Sequence, residues 1–353
     1  MRLLAPLAAL PLLVADDLPT AARDTAAWRP PAAHPTAPPV ARPSSDSVVI
    51  TEWTVPWERS RPRDPFVDPK SGAIFFVGQV GNYVARFDPK TAQFRRYELE
   101  DGALPHNVIV GPDGMVWYAG NGNGHIGRLD PETGDVTRFP MPDSAARDPH
   151  TLLFGADGSL WFTVQMGNFV GRLTPGTGEV RLVPMPTPRA RPYGIVLDSR
   201  GRPWVVQFGT NRIAAIDPAT MRLREYTLPD AGARPRRIAI TADDMVWYVD
   251  HARGYLGRLN PATEKVDEWP MPGGAQSRPY AMAVDDRGRL WAVETGVQPN
   301  RLVGFDPATS DFFSVTPIGS AERNTVRHMV WHAPTRSIWF GTDANTIGRA
   351  TIP

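Results

Sequence analysis

An aromatic residue recurs at nearly even spacing through most of the chain, and this repeat constrains the fold more than any other feature. Successive copies are 42–48 residues apart. The seven copies are Phe75, Trp117, Trp161, Trp204, Trp247, Trp291 and Trp339. Repetition at a period of about 40–50 residues is typical of propellers and repeat arrays.

Each repeat contains four short apolar or alternating runs. In residues 105–142 these runs are separated by Gly-Pro-Asp-Gly, Gly-Asn-Gly and Asp-Pro-Glu-Thr-Gly, which are turn-forming sequences. Strand-length runs between turns predict β-strands. Seven copies of a four-strand unit therefore predict an all-β fold, a seven-bladed β-propeller of four-stranded blades.

The last repeat ends after its third run, at Pro353, and lacks a fourth strand. Residues 48–56, VVITEWTVP, have the form of a fourth run and precede the first repeat. We therefore expect this N-terminal strand to complete the last blade. Such pairing closes the ring and removes an unpaired sheet edge.

The segment before the ring has a different composition. Residues 1–22 contain one Arg followed by an apolar run of signal-peptide length, too short to span a bilayer. Residues 23–47 are rich in Pro, Ala and Ser, which predicts an extended linker before a propeller domain at 48–353. We expect an exported protein, periplasmic or secreted, without a membrane span.

Charge and cysteine content exclude several classes of partner. The net charge of +1 gives no indication of a nucleic-acid partner. The absence of cysteine excludes disulfides and thiolate metal sites.

Polar residues that differ between repeats mark the candidate site. In a propeller, the start of the innermost strand and the end of the second strand emerge at the same mouth of the central channel. At the start of the first strand the repeats have Arg63, His106, His150, Tyr193, Arg236, Tyr280, and Arg327 with His328. At the end of the second strand they have Gln79, Asn121, Gln165, Gln207, Asp250 with His251, Glu294, and Thr342 with Asp343. We expect this mouth to bind a small-molecule or peptide ligand.

The last two repeats carry the residue types of a catalytic site. His328 and Asp343 would suit a general base and the carboxylate that orients it. Glu294 together with Asp343 offers the oxygen ligands that Mg²⁺ prefers. The strand phase leaves open whether Arg327 or His328 faces the mouth, and a hydrogen-bonded structural role for the histidine is the alternative.

The repeats PHNVIVGPDGMVWY, DPHTLLFGADGSLWFTVQMGNFVGRL and RPYGIVLDSRGRPWVVQFGTNRIAAIDP resemble those of the streptogramin B lyase (virginiamycin B lyase) family. The resemblance covers about residues 48–353. It implies a monomeric seven-bladed propeller and a Mg²⁺-dependent carbon–oxygen lyase that opens a cyclic depsipeptide at its ester by elimination. It also implies a catalytic His at the start of the last inner strand, two acids near it, and a second His one blade earlier.

The family residues carry over in part. His328 takes the place of the catalytic base, and Asp343, four residues after Trp339, takes the place of one acid. Val326 stands where the family has the other acid, and Tyr280 where it has the second His.

Three functions therefore stay open at this point. The first is a Mg²⁺-dependent lyase acting on a cyclic ester or depsipeptide. The second is a non-catalytic propeller that binds a ligand or peptide through the arginines at positions 63, 236 and 327. The third is a metal-dependent hydrolase of the lactonase type.

Overall fold

The computed structural model of the protein describes residues 47–321 and 324–353. Their backbone forms strands β1 to β28, arranged in seven sheets of four antiparallel strands. Each sheet is one blade of a propeller, which confirms the predicted fold. The expected signal peptide and nearly all of the expected linker lie outside the described residues. No helix within the described part of the chain is long and apolar enough to cross a membrane.

The blades follow one another along the chain, and their first strands contact each other around the axis. Blade 1 comprises β2 (Pro62–Val67), β3 (Ile74–Gly78), β4 (Tyr83–Asp88) and β5 (Gln93–Glu98). Blade 2 comprises β6 (Val108–Val110), β7 (Val116–Gly120), β8 (His125–Leu129) and β9 (Val136–Pro140). Blade 3 comprises β10 (Pro149–Phe154), β11 (Leu160–Val164), β12 (Phe169–Thr174) and β13 (Glu179–Pro184). Blade 4 comprises β14 (Pro192–Leu197), β15 (Pro203–Gln207), β16 (Arg212–Ile216) and β17 (Leu223–Thr227).

The remaining three blades continue this order. Blade 5 comprises β18 (Pro235–Ile240), β19 (Val246–Asp250), β20 (Tyr255–Leu259) and β21 (Val266–Pro270). Blade 6 comprises β22 (Pro279–Val284), β23 (Leu290–Glu294), β24 (Arg301–Asp306) and β25 (Asp311–Pro317). Blade 7 comprises β26 (Val326–His332), β27 (Ser337–Thr342), β28 (Thr346–Thr351) and β1 (Val49–Thr54). Short 3-10 turns lie at Ser144–Ala146, Gly274–Gln276, Gly319–Ala321 and Ala333–Thr335.

The repeated tryptophan fills the space between blades. The Trp117 ring stacks on Phe139 of its own blade, with centroids 5.5 Å apart, and meets Phe154 of the next blade edge-on at 5.7 Å. The Arg128 guanidinium lies over the Trp117 ring, 5.8 Å from its centroid. Arginines of the Ile-Gly-Arg triplets therefore cover the indoles through cation–π contacts, a contact that the repeat pattern alone did not reveal.

Nearly all inner strands share an irregularity close to the channel mouth. In blade 3, Pro149 pairs with Val164 but Leu152 pairs with Phe162, so β10 has one more residue than β11 over this stretch. Similar shifts occur in the first strands of blades 1, 4, 5, 6 and 7. A bulge of this kind bends the strand and re-aims its side chains. Two consecutive residues can then face the channel, which ordinary alternation would not allow.

The ring closes as expected from the sequence. Strand β1 pairs with β28 over its whole length, from Val49 with Thr351 to Thr54 with Thr346. The Trp53 ring of β1 stacks on Trp339, with centroids 5.6 Å apart and an interplanar angle of 20°. The closing strand thus contributes both backbone hydrogen bonds and an aromatic contact.

We expect Trp53→Ala to lower the free energy of unfolding by about 3 kcal/mol, since it removes a large ring from the seam between the chain ends. Urea denaturation would measure the loss. Val49→Ala is the matched control, because Val49 lies in the same strand but is 58% exposed; its effect should stay within about 0.5 kcal/mol. Equal losses from the two variants would contradict a closing role for Trp53.

Candidate functional site

The bulged strand starts place two layers of side chains in the central channel. The register shows which residues are equivalent, because the first residue of an inner strand pairs with the last residue of the second strand, as Pro62 does with Gly78 and Val326 with Thr342. The next position forms the outer layer: Arg63, His106, His150, Tyr193, Arg236, Tyr280 and Arg327. The position after that forms the inner layer: Asp64, Asn107, Thr151, Gly194, Arg237, Ala281 and His328. Arg327 therefore belongs to the outer layer and His328 to the inner one.

Outer-layer side chains contact one another across the channel. Arg63 Nη2 donates to the Tyr280 hydroxyl at 3.1 Å, and the hydroxyls of Tyr280 and Tyr193 are 2.9 Å apart. The His150 ring lies 4.2 Å from the Tyr193 ring and 3.5 Å from the His106 ring, measured between centroids. Each of these five residues is at most 5% exposed. Because Tyr193 and Tyr280 belong to blades 4 and 6, their contact joins two blades that are not neighbours in the ring.

Asp64 is the buried anion at the centre of the two layers. Its Oδ1 accepts from Arg63 Nε at 3.2 Å, and its Oδ2 accepts from Arg237 Nη2 at 3.2 Å and from Asn107 Nδ2 at 3.1 Å. Burial opposes ionisation, but Arg63 and Arg237 outweigh it and hold the pKa of Asp64 well below its usual range. The carboxylate thereby joins residues of blades 1, 2 and 5.

The arginines also act on Tyr280. Burial alone would raise the pKa of its phenol, but the charges of Arg63, Arg236 and Arg237 lower that pKa to about 7. Burial and the neighbouring Tyr280 raise the pKa of Tyr193. The hydroxyl pair therefore contains one unusually acidic phenol, stabilised as phenolate by the surrounding guanidinium groups.

The channel histidines are neutral at pH 7. Burial, with Arg63 and Arg237 adding to it, lowers the pKa of His106 well below its usual value. Burial and the adjacent His106 do the same to the pKa of His150. Burial and Arg237 lower the pKa of His328 to about 3, although Asp64 acts in the opposite direction.

The ends of the second strands face differently from the expectation at four places. The residues expected at the mouth include Gln207, Asp250, Glu294 and Thr342, but each of these is fully buried and pairs with the first residue of the inner strand. Because side chains alternate along a strand, the following residues reach the mouth. Phe208 does so, and so does His251, which was expected there together with Asp250; both lie beside Arg236.

In blades 1, 2 and 3 the residues expected at the mouth follow the last residue of the second strand, the position that reaches the mouth. Gln79 accepts from Arg63 Nη1 at 2.8 Å, and Asn121 Nδ2 donates to the carbonyl of Pro149 at 3.0 Å. Gln165 is partly buried at the equivalent place in blade 3. Thr342 is the exception in blade 7, where its hydroxyl bonds to that of Thr346 at 2.7 Å.

Asp343 binds arginines rather than a histidine. Both of its carboxylate oxygens accept from Arg327, with Nε at 2.9 Å from Oδ1, and Arg61 Nε lies 3.4 Å from the same oxygen. His328 lies in the inner layer near Asp64 and Arg237, and its Nδ1 has no hydrogen-bond partner among the described residues. The structure thus does not bring His328 and Asp343 together as a base and its orienting acid.

The carboxylates expected to bind Mg²⁺ have other partners. Glu294 accepts from Arg301 Nε at 2.8 Å and from the Gly273 amide at 2.6 Å. Burial raises the pKa of Glu294, against the effect of these donors. No group of three or more His, Asp or Glu side chains in the described part of the chain is arranged to hold a metal ion. Two carboxylates already bound by guanidinium groups do not fit the oxygen-rich shell of a hard cation.

Arg236 is a partly buried cation at the mouth that has no acidic partner among the described residues. Its guanidinium lies 3.8 Å from the Tyr280 ring centroid and 4.9 Å from that of Phe208. Its Nη1 is 3.3 Å from the ring nitrogens of His251, whose pKa is lowered to about 4 by burial and by Arg236 itself. No described carboxylate forms an ion pair with Arg236. A partly buried guanidinium between aromatic rings, with no acid to neutralise it, is suited to binding an anionic group.

Comparison with known proteins gives a family and a fold. The family model described as the virginiamycin B lyase family matches residues 19–302. A search of curated proteins gives no match.

Three solved structures illustrate the likeness in fold. Selenomethionine-substituted virginiamycin B lyase from Staphylococcus aureus is 22% identical with a TM-score of 0.78, and the match covers 87% of this chain and 100% of that one. A catalytically inactive variant of that lyase with quinupristin is 23% identical with a TM-score of 0.79 and the same coverage. The extracellular domain of a one-component system from B. thetaiotaomicron is 17% identical with a TM-score of 0.64, covering 82% of this chain and 40% of that one.

We expect one tyrosine to ionise near pH 7, and Tyr280→Phe to remove that step. Near-UV absorbance of the phenolate between about pH 6 and pH 9 would measure it. Tyr118→Phe is the matched control. Burial raises the pKa of Tyr118, so this variant should keep the tyrosine ionisation near pH 7.

The lowered pKa of Tyr280 also makes the free energy of unfolding depend on pH. An unfolded tyrosine ionises at about pH 10, so the low folded pKa contributes stability that is complete above that pH. The contribution is lost as pH falls through about 7. If the free energy of unfolding of Tyr280→Phe followed the same pH curve as the wild type, the phenolate would have no such role.

Proposed function

The chain belongs to the virginiamycin B lyase family, and from that premise we propose that it is a ligand-binding propeller that acts without a metal. The ligand is a small molecule or peptide with an anionic group, bound at the mouth where the inner strands begin. The observation that carries this proposal is Arg236, a cation at the mouth without an acidic partner among the described residues.

The charges around the mouth support the proposal. Arg61, Arg63, Arg236 and Arg327 lie at or just below it, and Asp343 binds two of them. Asp64 binds Arg63 from below. Arg236 has no carboxylate partner among the described residues, and its contacts with the rings of Phe208 and Tyr280 hold its guanidinium in place. A charge-assisted hydrogen bond in such a partly buried place contributes about 1.5–3 kcal/mol.

Lyase activity is the alternative function, and the acidity of Tyr280 favours it. A general base works best when its pKa lies near the working pH, which the phenol of Tyr280 satisfies. Its hydroxyl, however, is bonded to Arg63 and Tyr193, and the whole residue is buried beneath Arg236. The geometry therefore favours binding over proton abstraction from a substrate. A lactonase-type hydrolase would need the metal that the carboxylates do not fit.

The proposal includes a location outside the cytoplasm. The pattern of residues 1–22 is that of a signal peptide, and one of the solved structures with this fold is an extracellular domain. We expect a monomer after export.

Quinupristin tests the lyase alternative, since one of the similar structures is described with it. We expect no ring opening when the protein is incubated with quinupristin and Mg²⁺ and the mixture is analysed by liquid chromatography and mass spectrometry. Elimination would give a linear product of unchanged mass, whereas hydrolysis would add one water. A linear product of unchanged mass would overturn the non-catalytic proposal.

Binding of a small carboxylic acid tests the role of Arg236. The probe is N-acetyl-phenylalanine, and N-acetyl-phenylalanine amide, which lacks the carboxylate, is the neutral control. We expect calorimetry to show binding of the acid that persists in EDTA and weakens about tenfold or more in Arg236→Gln, because about 1.4 kcal/mol corresponds to tenfold.

Arg258→Gln is the matched control variant, because Arg258 pairs with Asp267 at 2.7 Å on the outer strands of blade 5. It should bind the acid as the wild type does. Equal affinity for the acid and the amide, or a loss in Arg258→Gln as large as in Arg236→Gln, would argue against the site.

A further inference from the structure

A second cavity occupies the channel on the other side of the two layers. Its volume is about 480 Å³, within the range of small-molecule sites. The inner layer forms its floor, with Asn107, Thr151, Arg237 and His328 among the lining residues. None of the outer-layer residues lines it. The cavity is therefore separate from the mouth that contains Arg236.

The walls of this cavity are apolar. They are formed by the inner strands beyond the bulges, where the side chains include Leu152, Ile195, Ile238, Met282, Met329 and Trp331. An apolar wall above a polar floor favours an elongated ligand with one polar end.

The floor contains polar atoms that have no partner within the described chain. Arg237 is only 2% exposed, and while its Nη atoms donate to Thr151 and Asp64, its Nε has no acceptor. His328 Nδ1 and, in the wall, Trp331 Nε1 are also buried without a partner. A buried donor without an acceptor costs about 1–3 kcal/mol. Three such atoms on residues that line one cavity indicate a place for a ligand with acceptor oxygens.

The charges near the floor indicate the sign of the ligand's charge. Arg63 and Arg237 both bind the carboxylate of Asp64. While the Tyr280 hydroxyl is protonated, below about pH 7, one negative charge thus faces two positive ones, and the pKa of His328 is lowered to about 3. A monoanion would balance the floor, whereas a cation would not.

We infer that this cavity binds a carboxylic acid with an apolar tail, the carboxylate lying on Arg237 and His328 and the tail along the walls. The inference is independent of the ligand proposed for the opposite mouth, since the two sites share no lining residue. Carboxylate oxygens would accept from Arg237 Nε and, in the suitable tautomer, from His328 Nδ1. The tail would cover the apolar side chains of the wall.

Octanoate is the probe that tests this inference, with octanamide as the uncharged control of the same length. Binding to the full-length wild-type protein would be followed by tryptophan fluorescence, with Trp331→Phe used to identify the local signal. We expect octanoate to bind about tenfold or more tightly than octanamide. We also expect octanoate, but not octanamide, to shift the ring resonances of His328 in ¹³C-histidine-labelled protein at pH 6, where octanoate is ionised.

Adjacent arginines provide a matched pair of variants. Arg237→Gln should abolish the preference for octanoate over octanamide, and Arg236→Gln should retain it, because the Arg236 side chain lies at the opposite mouth. If Arg237→Gln fails to fold, the His328 resonances of the wild type at pH 6 decide. Equal binding of octanoate and octanamide, no binding of either, or unchanged His328 resonances at saturating octanoate would overturn the inference. Loss of N-acetyl-phenylalanine binding alone would bear only on the other mouth.

Discussion

The carboxylate of Asp64 is the interaction on which the centre of this propeller depends. A fully buried anion is costly unless it is paired and hydrogen-bonded, and Asp64 has Arg63, Arg237 and Asn107 as partners. These partners come from blades 1, 5 and 2, so one side chain connects strands that are far apart in sequence. The residue has φ +47°, in the left-handed region, where Asp is tolerated better than most residues. Backbone strain and ion pairing thus meet at the same position.

The inner-strand bulges determine how the channel is divided. A regular strand would direct only every second side chain into the channel, and Arg236 and Arg237 could not both face it. With the bulge, Arg236 contacts the aromatic rings at one mouth, while Arg237 reaches Asp64 and lines the cavity on the other side. One dipeptide therefore places a cation at each of two proposed sites with different surroundings. One is lined by aromatic rings, and the other mainly by aliphatic side chains.

The ring and its closure could be predicted because packing between blades repeats the same residue at the same place. The site was harder to predict, because its residues differ from blade to blade. An offset of one residue also decides which side of the strand each side chain lies on. Glu294 was expected at the mouth but lies on the opposite side of its strand, bonded to Arg301. Likewise, only the bulge places Arg327 in the outer layer and His328 in the inner one. No local pattern in the sequence marks either detail, since a slip of one residue reverses the facing of a strand.

The pairing of β1 with β28 has a consequence for how the chain reaches its folded state. Val49 and Thr351 are neighbours in space but lie at opposite ends of the described chain. Six blades can form from consecutive segments, whereas the seventh needs a strand from each end. Contacts between such distant segments are slow to form, since a long loop must close first. Until the final strand is available, β1 is an unpaired apolar edge, and the incomplete ring is the species most exposed to association with other chains.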